Sequence, residues 1–239
     1  VPTIPGYTAS QSQVAKETVT GTTKDQTVNV TYTPDAQKLS VKFVDDTTGQ
    51  VLKTVAKTGV TNAAAGYNTQ ADIQSYEGQH YVLVSDSSHG TNLVFDNNDS
   101  TDQSYEVHFK HGTHQIDEHH TITQTVHYTA TDYAGVPDDH TASVQFDRDG
   151  YHDEVTGDDH WNVWKQGGTQ TFAEVPTPKK AGYTPDKSSV SATVVHSSDH
   201  NQTIDVTYTP DTQKVIVTFI DDTDNGKTLK TVTKTGPTN

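Results

Sequence analysis

The chain has 239 residues, neither Cys nor Met, and a net charge of −15 from 16 basic and 31 acidic side chains. That charge excludes the basic footprint nucleic acid requires, the missing Cys excludes disulfides and thiolate zinc sites, and no apolar run approaches the roughly 18 residues of a membrane helix. A hydrophobic content of 30% and a mean hydropathy of −0.74 suit small domains of half-buried strands, not one large core.

Pro2, Pro5 and Gly6 break the chain early, and Val28, Val30 and Tyr32 then alternate with Asn29, Thr31 and Thr33. That is the period of a half-buried strand. Residues 1–34 therefore predict a hairpin, which is marginal unless it borrows a neighbour.

Residues 35–111 predict one small domain. Leu39, Val41 and Phe43 alternate with Ser40 and Lys42, Asp46-Thr47-Thr48-Gly49 turns, and Val51 to Lys57 returns. Asn68 to Gly78 then carries helical signals: a cap at Thr69, an Asp three residues later, Ile73 and Tyr76 on one face, and a Gly stop. Strands are expected at 81–85, 92–95 and 105–110. Two strands, a helix and further strands give the order of a β-grasp.

Residues 112–210 predict a second, nearly all-strand domain, with runs at 121–131, 141–149, 155–164, 169–175, 190–195 and 202–209. A short helix between Val175 and Ser189 is an open alternative. Residues 211–239 restart the first domain without its helix and closing strands.

That restart is literal. Val28-Asn-Val-Thr-Tyr-Thr-Pro-Asp35 returns as Ile204-Asp-Val-Thr-Tyr-Thr-Pro-Asp211, an offset of 176 (210 minus 34 at the prolines). Gly182-Tyr183 repeats Gly6-Tyr7, and Asp221-Asp222-Thr223 repeats Asp45-Asp46-Thr47. Such a period marks a tandem array. The chain reads as the tail of one repeat (1–34), a whole repeat (35–210) and the head of the next (211–239), cut from a longer protein. The expected fold class is α+β, mostly β: tandem β-grasp (ubiquitin-like) domains in an elongated array.

Five neighbouring residues form the first candidate site. Trp161 and Trp164 are the chain's two indoles, and Asp158, Asp159 and His160 stand beside them. Indole faces stack on sugars, and the polar neighbours would bind hydroxyls; equally, Trp fills cores. Residues three apart on a strand point to opposite faces, so no more than one Trp is expected on a given side.

Asp96, Asn98, Asp99 and Asp102 offer oxygens to calcium, although the Gly and Glu of an EF-hand loop are missing. Otherwise that segment is a solvated polar loop, and no other cofactor is expected. His111, His114, His119 and His120, beside Asp117 and Glu118, suggest a zinc site or a pH-sensitive hinge, in a spacing that matches no finger. The Asp pairs 45/46, 138/139, 158/159 and 221/222 fit turns better than a glycosidase dyad. No enzymatic activity is expected. Protonating all 13 His would take the charge from −15 to −2, so the surface nearly discharges in mild acid.

Val41-Lys-Phe-Val-Asp-Asp-Thr-Thr-Gly49, Gly66-Tyr67 and the stretch from Tyr76 to Val84 resemble the mucin-binding (MucBP-type) module. Phe146-Asp-Arg-Asp, Asp153-Glu-Val-Thr-Gly157, Trp161/Trp164, Phe172-Ala-Glu-Val-Pro176 and Gly182-Tyr183-Thr-Pro185 resemble the companion B2-like domain of lactobacillal mucus-binding (Mub) repeats. The resemblance implies a monomeric, extracellular adhesin module on a Gram-positive cell wall, anchored by a sorting signal elsewhere in the protein. It implies binding to mucin glycoproteins through their glycans, and two domains related to β-grasp folds. It also implies the second domain's likeness to the immunoglobulin-binding domains of protein L. Weak contacts multiplied along the array would give adhesion. The alternatives are a ligand-free stalk and an immunoglobulin-binding module.

Overall fold

The computed structural model describes residues 1–131 and 135–238. They are mostly strand, with one α-helix among them, and form two compact units. The first holds Val1–His114 and Tyr151–His160; the second holds Gln115–Gly150 and the chain from Trp161 onward.

In the first unit, β1 (Tyr7–Ala9) pairs antiparallel with β2 (Tyr32–Pro34). Val28 and Val30 do not extend the pair, and Val28 stays exposed. A three-residue partner leaves them no sheet to join.

β3 (Ala36–Asp45) and β4 (Gln50–Val60) make a hairpin, and β5 (Tyr81–Asp86) and β6 (Gln103–His111) complete a mixed sheet in the order β4-β3-β6-β5. β3 and β6 run parallel at its centre. The alternation read from β3 is its burial: Leu39, Val41 and Phe43 are 2%, 0% and 0% exposed. Val107 and Phe109 of β6 join that core, with Ile73 of α1 (Gln70–Glu77). Tyr76 of the helix packs 5.8 Å from Phe43, 5.7 Å from Tyr81 and 5.2 Å from Phe109. An eight-residue helix is marginal alone, so this packing holds it.

Two local expectations are corrected. Thr69 does not cap α1: its hydroxyl donates to Asp86 Oδ2 at 2.6 Å and is spent there. Residues 92–95 are not a strand but make one bridge, Ala64 to Val94, while Leu93 and Phe95 plug the core. Gly59 shows how tightly: a Cβ there would lie 2.2 Å from the Phe95 ring.

The long strands β7 (Thr113–Ala130) and β8 (His140–Asp153) and the short β9 (Asp159–Trp161) share a second sheet. The expected strand over 155–164 shrinks to β9, because Asp153 Oδ1 accepts the amides of Val155 and Thr156 and folds that segment into a turn. A 3₁₀ turn follows at Lys165–Gly168.

Beyond it lie β10 (Thr169–Phe172), β11 (Val175–Pro176), β12 (Tyr183–Pro185), β13 (Ser189–Val190), β14 (Thr193–His196) and β15 (Gln202–Pro210). No helix forms between Val175 and Ser189; short strands and Pro176 and Pro178 occupy that stretch. The second sheet runs β12-β15-β7-β8-β9, with β15 parallel to β7. Its core has two parts, one around Val126, Tyr128, Val206 and Tyr208, the other around Ile122, Phe146, Phe172 and Val195.

The chain closes with the hairpin of β16 (Thr212–Asp221) and β17 (Lys227–Pro237). β16 repeats β3 in sequence but not in burial. Val215, Val217 and Phe219, the counterparts of Leu39, Val41 and Phe43, are 60%, 44% and 49% exposed. Among the described residues no counterpart of β6 or α1 covers them.

The repeat is conserved in hydrogen bonds. Asp35 N–H donates to Gly6 O at 2.8 Å, Thr61 N–H to Asp35 O at 3.0 Å and Thr8 Oγ1 to Asp35 Oδ1 at 2.6 Å. Asp211 N–H donates to Gly182 O at 2.8 Å, Thr238 N–H to Asp211 O at 3.0 Å and Thr184 Oγ1 to Asp211 Oδ1 at 2.7 Å. Each clasp needs its glycine: φ is +75° at Gly6 and +76° at Gly182, and a Cβ would meet Thr61 or Thr238 at 2.6 Å. Asn239, the last residue of the repeated segment, lies outside the described residues. No helix among the described residues is long and apolar enough to cross a membrane.

Candidate functional site

Arg148, on β8, is the chain's one arginine. Its guanidinium lies 4.7 Å from the Trp161 ring centre and 4.6 Å from that of Trp164. Both Trp side chains thus converge on one cation instead of taking opposite faces of a strand. The expectation fails because the strand ends at Trp161, and Trp164 stands in the bend before the 3₁₀ turn. Arg148 Nε donates to Glu118 Oε2 at 2.5 Å, so the cation is paired as well as flanked. Trp164 also meets Phe146 edge-on at 6.4 Å, which ties it to the core. Both indoles are half-buried, and Val163 between them is 88% exposed.

The polar residues expected to assist the indoles are engaged elsewhere. Asp159 Oδ1 lies 2.6 Å from His152 Nδ1, and His160 stacks on Tyr151 at 4.7 Å. Asp158 is exposed in the turn, its amide donating to Thr156 Oγ1 at 3.3 Å. All three belong with the first unit, whereas Trp161 and Trp164 belong with the second.

The candidate calcium loop is bonded to itself and to its own unit. Asp99 accepts Gly6 N–H at 3.1 Å and Gln37 Nε2 at 2.7 Å. Asp96 Oδ1 accepts the amide of Asn98, and Asn98 Oδ1 accepts Ser100. Asp102 is exposed. No three His, Cys, Asp or Glu side chains among the described residues converge as a metal site.

The same holds for the histidine cluster, which is corrected from one site to separate pairs. His114 Nδ1 lies 2.6 Å from Glu154, and His119 Nδ1 lies 2.6 Å from Asp147. His120 sits edge-on to Phe146 at 6.5 Å, and Glu118 is taken by Arg148. Neighbours on a strand diverge, and each of these imidazoles finds the nearest partner on its own face.

His111 is the exception in depth. Its side chain is 4% exposed, with Nδ1 2.5 Å from Asp153 Oδ2 and Nε2 3.0 Å from Asp45 Oδ2. Burial pushes its pKa down, but the hydrogen bonds to Asp153 and Asp45 outweigh that, and the net direction is up. Burial pushes both carboxylates up; the Thr48 hydroxyl, the Thr47 amide and His111 hold Asp45 below its ordinary value. His111 and the Thr156 and Val155 amides do the same for Asp153. His108 is raised by its bond to Asp46 at 2.7 Å, and His152 by its bond to Asp159. Arg148 and Asp153 were missed as functional residues in the sequence. Arg148's being the sole arginine, on the strand that precedes the indole segment, was the available signal; nothing local announced Asp153 as a partner for His111.

Comparison with known families and structures supplies the context. Residues 37–111 match the family profile described as Mucin binding domain, and residues 1–36 and 113–212 match that of the Muc B2-like domain. The crystal structure of Mub-RV superposes with a TM-score of 0.67 at 35% identity, covering 73% of this chain and 99% of that one. The type 2 repeat of the mucus-binding protein MUB from Lactobacillus reuteri is 33% identical over 73% of this chain and all of its own, with a TM-score of 0.49. The mucin-binding domain of a Streptococcus pneumoniae protein is 27% identical over 41% of this chain and 96% of its own, with a TM-score of 0.37. Among proteins with curated descriptions, none matches the chain.

Proposed function

Because the chain belongs to the family of mucus-binding repeats that join a mucin binding domain to a Muc B2-like domain, we propose that it is an adhesin module that holds mucin glycans at a Gram-positive cell surface. The observation that carries this reading is the pair of family matches, which between them cover residues 1–111 and 113–212. The order of strands and the single helix in the first sheet support a β-grasp reading of the mucin-binding part.

The mechanism is weak binding multiplied by copy number. Sugars offer few apolar contacts, so a single site holds with roughly millimolar to high-micromolar affinity, and linked copies raise the avidity without new contacts. The surface charge of −15 opposes acidic mucin at neutral pH and relaxes as histidines protonate. The exposed Val163 and the half-buried indoles give the second unit an aromatic surface for a sugar face.

The test is retention of the whole chain on purified mucin, before and after mixed glycosidase treatment, at pH 7.4 and 5. Loss of retention with the glycans, and stronger retention at pH 5, is the expected result. Retention that survives deglycosylation points to the mucin polypeptide or to bound immunoglobulin. No retention at either pH leaves a stalk as the account.

A further inference from the structure

Two surface pockets of this protein are copies of each other. One, of about 280 Å³, is lined by Thr177, Pro178, Lys179, Lys180, Tyr183 and Pro185, with Ser188 at its rim. The other, of about 190 Å³, is lined by Val1, Pro2, Thr3, Tyr7, Ala9 and Ser12, together with Gln11 and Tyr32. The offset of 176 maps Thr177 on Val1, Pro178 on Pro2, Lys179 on Thr3, Tyr183 on Tyr7, Pro185 on Ala9 and Ser188 on Ser12.

The construction is shared too. Tyr208 OH donates to Pro178 O at 2.5 Å, as Tyr32 OH does to Pro2 O at 2.6 Å. The amide of Tyr183 donates to Lys180 O at 3.2 Å, as that of Tyr7 does to Ile4 O at 3.1 Å. A tight turn thus sets a proline and a tyrosine side by side twice, once per repeat.

The charge differs. Lys179-Lys180 stands where the first copy has Thr3-Ile4, and it is the only pair of adjacent cations in a chain of net charge −15. No carboxylate among the described residues lines this pocket. Lys180 is held in place, its Nζ 2.7 Å from Gly135 O and 5.1 Å from the Tyr183 ring centre, while Lys179 is exposed. Thr177 Oγ1 in the wall is buried and has no hydrogen-bond partner among the described residues. Two proline rings and a tyrosine offer an apolar floor, and the volume suits one sugar ring.

We propose that the Lys179–Lys180 pocket binds a terminal sugar carrying one negative charge, a carboxylate or a sulfate ester. Its floor of Pro178, Pro185 and Tyr183 meets the ring, and the two ammonium groups meet the anion. The pocket is a recurring subsite whose charge preference each repeat sets at the two positions before Ala181-Gly182. This deepens the glycan-binding reading and rests on it.

The experiment is an NMR titration of the whole isotope-labelled chain at neutral pH with three probes: the methyl glycoside of N-acetylneuraminic acid, N-acetylglucosamine 6-sulfate, and neutral N-acetylgalactosamine. We expect saturable shifts at residues 177–188 with an acidic sugar, with dissociation constants of roughly 1–10 mM. Whichever acidic probe binds names the source of the charge. The variant Lys179→Thr with Lys180→Ile installs the residues of the first copy and should keep the fold while weakening the acidic sugar at least fivefold. Equal shifts with the neutral sugar, an unchanged response in the variant, or silence at 177–188 overturns the proposal. Silence there with glycosidase-sensitive retention on mucin removes this pocket and leaves the wider reading intact. Saturation there with glycosidase-insensitive retention does the reverse.

Discussion

His111 and Asp153, 42 residues apart in sequence, meet at 2.5 Å inside the first unit, with Asp45 on the other side of the same imidazole. Thr47 Oγ1 accepts the His111 amide at 2.9 Å, and the Tyr81 ring stands edge-on at 5.4 Å. A charged imidazole donates to both carboxylates; a neutral one donates to only one. The pair of acids therefore needs the proton on His111.

This sets a pH window. His111 titrates above its ordinary 6.5, so its stabilisation is complete below about 6.5 and is lost as pH rises through the raised value. Asp45 and Asp153 titrate below 3.8, so theirs is complete above that value and is lost as pH falls through the lowered ones. Urea unfolding followed by circular dichroism should show the first unit most stable between about pH 4 and 6.5 and weaker at pH 8. His111→Gln should cost about 3–5 kcal/mol at pH 5.5 and flatten the decline toward pH 8. A decline that persists in the variant would assign it to other histidines.

Arg148→Lys keeps the charge but loses the planar fork between the indoles and at Glu118. Calorimetry should show a loss of about 1–2 kcal/mol, a few degrees in melting temperature. Trp164→Ala should cost more than Trp161→Ala, because Trp164 also packs edge-on against the buried Phe146.

The two clasps predict matched effects. Gly6→Ala and Gly182→Ala each force a side chain into a left-handed backbone and against a threonine. Each should cost at least about 1–2 kcal/mol locally. Hydrogen exchange should speed up at the Asp35 and Thr61 amides in the first and at those of Asp211 and Thr238 in the second.

β3 and β16 form an internal control, with the same sequence pattern in different surroundings. Phe43→Ala should cost about 3–5 kcal/mol, whereas Phe219→Ala, at a half-exposed position, should cost well under about 1 kcal/mol. Equal costs in thermal unfolding would mean that the β16–β17 face is covered in solution.

The sequence made the β3–β6 sheet legible because one buried face imposes a period of two on Leu39, Val41 and Phe43 and on Tyr105, Val107 and Phe109. The helix was visible in Ile73, Tyr76 and Gly78. Its cap was misread because a hydroxyl's choice between its own helix and Asp86 is made by tertiary neighbours. Segment 155–164 looked extended, yet Asp153 turned it by accepting two amides. The site suffered most. Trp161 and Trp164 were visible as residue types, but their meeting over Arg148 depends on where β9 ends, and strand ends are set by pairing. His111 was noticed for its neighbours in sequence, while its partners come from β3 and from the end of β8.

The Arg148 sandwich has a spectroscopic consequence. Both indoles of the chain stand within 5 Å of the same guanidinium, in the second unit. Selectively excited tryptophan emission therefore reports one corner of the molecule, while the first unit emits through its tyrosines alone. Indole emission in a melt thus follows the second unit without any label, whereas tyrosine emission mixes both units, because Tyr128, Tyr183 and Tyr208 lie in the second, and ligand quenching of the indole signal locates binding at that corner.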